Sequence, residues 1–117
     1  MSAADDVRTW LQAQPVLSGW RIQFGRWIDG SKADRYAVLK PVGGLPASLV
    51  REPRFTLLLV AAQGDAETAA YSPAAALVEA SRAYAGALVS LQAGEPVTST
   101  TNDGRPTAEI AIETITN

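Results

Sequence analysis

Histidine and cysteine are both absent from this sequence of 117 residues, and with them go zinc sites, thiol nucleophiles and serine–histidine–aspartate relays. No Walker-type or dinucleotide-binding glycine spacing is present to cradle a nucleotide phosphate. Excess positive charge is lacking too: a net charge of -2 and a pI near 5.0 give no long-range attraction for DNA or an acidic membrane surface. The segment from Met1 to Asp6 carries acids and no basic region ahead of an apolar stretch, so it does not read as a secretory signal. The longest apolar runs are too short to span a bilayer. A soluble, intracellular protein is expected, and the lack of cysteine is compatible with any redox compartment.

What is present fits one domain, since a chain of this length buries about two-thirds of the surface its unfolded form exposes. Apolar residues make up 47% of the sequence, but many are alanines that contribute little area each, so stability leans on tight helix packing or on a partner.

Val7, Trp10, Leu11 and Gln14 recur at helical spacing up to Pro15, behind a weakened capping box at Ser2 and Asp5, which predicts a short first helix. From Trp20 the period changes to two: Trp20, Ile22 and Phe24 point one way, Arg21 and Gln23 the other, with a possible bulge at Gly25. Asp29, Gly30 and Ser31 supply turn chemistry before a second extended run as far as Lys40, so the two runs are expected to form a hairpin.

Pro41 to Pro53 is a glycine- and proline-rich loop carrying Leu45, Leu49 and Val50. Those side chains either fold back over the sheet edge or form a docking surface. Phe55 to Ala62 is almost continuously apolar and is placed centrally in the sheet. Ser72 and Pro73 read as a helix start, with Leu77, Ala80, Tyr84, Leu88 and Leu91 on one face until Gly94 and Pro96 stop the helix. Ala74, Ala75, Ala83 and Ala87 let a second surface approach closely, either the domain's own sheet or a neighbouring subunit. After a polar link from Val97 to Asn102, the last segment alternates, with Ala108, Ile110, Ile112 and Thr114 on one face. The fold class expected is α+β: a mainly antiparallel sheet of about four strands with two helices packed on it.

Only carboxylates remain as candidate catalysts. Glu109 and Glu113 share a strand face, but four extended residues separate them by about 13 Å, beyond either glycosidase spacing; they read as solvated charges. Asp103-Gly104-Arg105 reads first as a turn, with Arg105 free to pair with Asp103 or with a neighbouring chain. Arg21, Arg26, Arg35, Lys40, Arg51 and Arg54 gather in the first half, but Asp29, Asp34 and Glu52 intervene, and a solvated or intersubunit role is the default.

Four runs together resemble the small tail terminator proteins of long-tailed bacteriophages, also called minor tail or tail-completion proteins: Gly19-Trp20-x-Ile22-x-Phe24-Gly25, Arg35-Tyr36-x-Val38-Leu39-Lys40-Pro41-Val42-Gly43-Gly44, Glu52-Pro53-Arg54-Phe55 and Asp103-Gly104-Arg105-Pro106. The resemblance runs from about Val16 onward and implies one tail-terminator-like domain over residues 1–117. It implies a structural protein of the virion tail, assembled in the host cytoplasm, that is not an enzyme and needs no cofactor or metal. The implied partners are further copies in a sixfold ring, the tail tube protein and the head-tail connector protein, with DNA only passing through the lumen and no membrane. The ring would stop tube polymerisation and present the head-joining surface. Another head-tail connector or tube component is the alternative. Candidate docking or intersubunit contacts are Leu45, Leu49, Val50, Arg51, Arg54, Asp103 and Arg105, with Pro41 to Pro53 expected to meet the tube end or the connector.

Overall fold

The computed structural model describes residues 3–28, 30–31, 33–42, 53–86, 88 and 90–115. Along them run α1 (Ala3–Gln12), a 3-10 turn (Pro15–Leu17), β1 (Trp20–Phe24), β2 (Arg35–Val42), β3 (Arg54–Val60), α2 (Thr68–Ser81), β4 (Ser90–Ala93), β5 (Val97–Thr100) and β6 (Pro106–Ile115). The class is α+β as expected, but the sheet is mixed and has six strands among the described residues, in the order β1-β2-β3-β6-β4 with β5 also on β6.

Helix α1 begins with Asp5 and Asp6 in its first turn, where acids complement the helix dipole, and it buries Val7 and Leu11 one turn apart. These join Leu39, Leu57, Leu59, Leu77, Ile110 and Ile112 in the main core, which lies between the helices and one face of the sheet. Strand β3 is central, as its continuous apolar run implies, with β2 and β6 antiparallel on its two sides. Strand β6 has the expected alternation: Ala108, Ile110, Ile112 and Thr114 are buried, while Glu109, Ala111 and Glu113 are exposed.

The expected hairpin between the first two strands is not formed, because β1 pairs with β2 in parallel, from Trp20 opposite Arg35 to Phe24 opposite Leu39. The intervening chain must therefore return to the start of β2, and its Trp27, like Leu58, packs against the cluster of Tyr36, Val38 and Val60 on the helix-free face of the sheet. The Tyr36 hydroxyl holds that return in place by accepting the amides of Gly30 at 2.8 Å and Ser31 at 3.0 Å.

The second helix also departs from expectation. It starts before Ser72, so Pro73 lies inside it and not at its first position, which forgoes one backbone bond. Burial of Ala70, Ala74 and Leu77 against the sheet offsets that loss; of the four alanines expected to allow close approach, Ala74 serves the subunit's own core, Ala75 is half-buried, Ala83 is exposed beyond the helix end and Ala87 lies outside the described residues. The helix stops at Ser81, and the run to Gly94 returns as β4 along β6. Ser81 secures the junction: its hydroxyl donates to Val78 O at 2.7 Å and accepts the Ala93 amide at 3.1 Å. The polar link expected from Val97 is instead the edge strand β5, exposed along its whole length.

Candidate functional site

The segment carrying Leu45, Leu49, Val50 and Arg51 lies outside the described residues; the sheet end from which it leaves is described. There Val42, Arg54, Glu113 and Gln92 stand directly opposite one another across β2, β3, β6 and β4. Val42 is exposed, as is Ile115 just beyond Glu113. Arg54 approaches Glu113 at 4.0 Å with both side chains in solvent. Such a pair contributes little to stability. Pro53 is fixed more firmly: the Thr114 hydroxyl donates to its carbonyl at 2.8 Å and the Thr114 amide at 3.1 Å. Thr114 itself is buried, so one side chain of β6 sets the exit of the 43–52 segment relative to the sheet.

Arg105 and Asp103, grouped with these residues on sequence grounds, lie at the other end of the sheet, in the turn between β5 and β6. Gly104 takes a positive φ of 84°, suited to glycine, and its amide closes on Thr101 O at 3.0 Å. The Thr101 hydroxyl bonds the Asp103 carboxylate. Arg105 is wholly buried within the subunit: its Nε donates to Ala61 O at 3.0 Å and its Nη2 to Asp34 O at 2.8 Å. Its guanidinium lies 5.1 Å from the Trp27 ring centroid and 5.5 Å from that of Tyr36, a cation–π geometry. The arginine thus ties the return link, the end of β3 and the last turn together, so it is a structural anchor of the monomer. Nothing in the Asp-Gly-Arg-Pro spelling separates an exposed arginine from this one; the signal lies in Trp27 and Tyr36, distant in sequence.

Two of the basic residues of the first half are closely matched within the subunit. Arg21 meets Asp34 at 3.0 Å, and Arg35 grips Asp65 with two bonds, Nε to Oδ2 at 2.9 Å and Nη2 to Oδ1 at 3.1 Å. The hydrogen bond to Arg35 holds the Asp65 carboxyl below the usual aspartate value, and the bond raises the Arg35 guanidinium in turn. The same carboxylate accepts the Ala62 amide at 2.9 Å, so this is a turn clasp after β3.

A cavity of about 480 Å³ opens between the end of α2 and β4 and is lined by Val78, Ser81, Tyr84 and Leu91 among others. Among the described residues no group of three or more acidic side chains could hold a metal. No helix described is long and apolar enough to cross a membrane.

The model of a family described as "Phage tail termination protein" matches residues 1–117. No curated protein and no solved structure matches the chain.

Proposed function

The chain belongs to the phage tail termination protein family, and from that premise we propose that it closes the tail tube as a ring of six subunits and presents the surface to which the filled head attaches. The family is structural and works among tail components of the virion. The observation that carries the reading is the match of the family model over residues 1–117.

The geometry supports a division of labour within one domain. The segment between Val42 and Pro53, with Leu45, Leu49, Val50 and Arg51, meets the last ring of tube protein or the head connector. Arg54 contributes beside it, where exposed Val42 and Ile115 already break the polar surface. Asp103 sits at the opposite end, and buried Arg105 supports that turn from within. Apolar side chains repeated around a ring give a multivalent contact from a modest area per subunit. DNA passes through the lumen without sequence-specific contact.

Light scattering across a concentration series, with electron microscopy of any large species and of tube ends, tests the proposal. Particles of six subunits with a central hole, free or seated on tube ends, are expected. A monomer at every concentration that leaves tube ends bare contradicts it.

A further inference from the structure

We infer that two edge strands left unpaired on their outer side among the described residues, β1 and β5, the latter sharing the far edge of β6 with β4, are one joint: β1 of each subunit pairs antiparallel with β5 of the next copy of this chain. The inference rests on the ring reading above and names the contact that closes it.

The backbone supports it first. The Gly25 amide donates to Leu39 O at 2.8 Å, and in the parallel ladder between β1 and β2 this turns alternate residues of β1 toward β2. Trp20, Ile22 and Phe24 therefore direct their backbone groups away from the sheet. On β5, the Thr101 amide bonds Arg105 O at 2.9 Å, so by the same alternation Thr98 and Thr100 direct theirs outward. Neither strand contains a proline and β5 contains no charge, so few of the devices that usually guard an open strand are present; β1 carries one charge, Arg21, on the helix-free face.

The side chains match as well. Trp20 and Ile22 pack on the helix-side core, so Phe24, in step with them and 48% exposed, lies on that face. Thr98 and Thr100 are opposite Ala108 and Pro106, on the helix face of β6. In an antiparallel pair, residues directly opposite project to the same side. The outward residues of both edges thus bring helix face to helix face, and the sheet continues without reversing. Had either edge directed its other set of residues outward, joining them would have turned the core side of one subunit toward the solvent side of the next.

There is also a receiving surface. Between the start of α2 and β5 runs a groove of about 380 Å³ lined by Glu67, Tyr71, Thr98 and Thr100 among others, with Tyr71 itself 45% exposed. Phe24 of the neighbour enters on this side. On the helix-free side, exposed Arg21 of β1 comes beside Glu109 and Val97, which stand opposite each other on β6 and β5. The charges are complementary in part: Arg26 and Arg21, the latter paired with Asp34 of its own subunit, are exposed at one edge, Glu67, Glu95 and Glu109 around the other. Because the two surfaces differ, the contact is head-to-tail, the kind from which a closed ring is built when the rotation between neighbours closes on itself.

Thr98→Pro is the first test, since it removes an outward amide from an exposed edge position where proline is tolerated. The variant is expected to keep the wild-type thermal midpoint within a few degrees while needing about tenfold more protein, or beyond, to assemble. A second test uses the absence of native cysteine. Arg21→Cys and Ser99→Cys proteins, treated with a short bis-maleimide, are expected to give cross-linked dimers when mixed and none when either is alone. If wild-type rings form, Thr98→Pro rings form equally well and the mixture gives no cross-link, the edge pairing is wrong while the ring reading stands. If Thr98→Pro fails to fold, the cross-link decides. A wild type that never assembles, alone or on tube ends, removes both.

Discussion

Arg105 lies over the indole of Trp27, 5.1 Å from the ring centroid, and is itself wholly buried. A charge enclosed this way is stable only with its donors met, and carbonyls of Ala61 and Asp34 meet two of them. Arg105→Leu should therefore destabilise the monomer by about 3 kcal/mol, by stranding both carbonyls and removing the cation from the rings. A urea titration reads this as a lower midpoint. Wild-type stability combined with lost assembly would instead return Arg105 to the docking surface.

Gly86 and Tyr84 are coupled in a similar way. A Cβ at Gly86 would stand 2.8 Å from Cζ of Tyr84. The Tyr84 hydroxyl accepts the Leu88 amide at 3.2 Å, and its ring meets Trp10 edge-on at 6.3 Å. Gly86→Ala should displace the tyrosine and cost about 1–2 kcal/mol through those two contacts. The shift should be visible as a change in tryptophan fluorescence that Trp10→Phe abolishes.

The clasp between Arg35 and Asp65 sets a pH dependence. The folded carboxyl sits below its ordinary value of 3.8, so its contribution is present above that value and is lost as pH falls through the folded one. The arginine, raised above its ordinary value by the same bond, contributes its part at every lower pH and loses it only beyond that value, outside the working range. With the Arg35 side chain 48% exposed, screening limits the effect to less than about 1 kcal/mol. Asp65→Asn should lower stability at pH 7 and flatten the acid limb below about pH 4 relative to wild type. Parallel unfolding curves for the two proteins across that limb would contradict the assignment.

Leu45 and Leu49 separate docking from core. On the proposed function, Leu45→Asp and Leu49→Asp should unfold within about 0.5 kcal/mol of wild type, as exposed substitutions do, and leave a folded protein that fails to cap tails. Unfolding of either variant at room temperature would place these leucines in the core.

Much of the architecture was legible where one segment carries its own pattern. Val7 and Leu11 announce α1, the run from Phe55 announces a central strand, and the alternation from Ala108 to Thr114 fixes which face of β6 is buried. What failed was pairing and direction. Turn residues at Gly30 and Ser31 fit a hairpin as well as a parallel return, and the difference lies in Trp27 finding Tyr36 and Val60 on the far face. Leu88 and Leu91 fit a helical period, yet Leu91 and Ala93 also fit the two-residue period of the short strand they form. Strand β5 was invisible because all four of its residues are exposed and so carry no alternation. The site was legible only as a composition of loop residues; Thr114, which fixes the exit of that segment through Pro53, looks from sequence like one more inward residue of β6.

The most direct measurement is the length of tail tubes grown from purified tube protein with and without this protein, seen by electron microscopy. Stoichiometric amounts are expected to arrest growth and leave a ring at one tube end. Tubes that lengthen at the same rate, with no added density at either end, would contradict it.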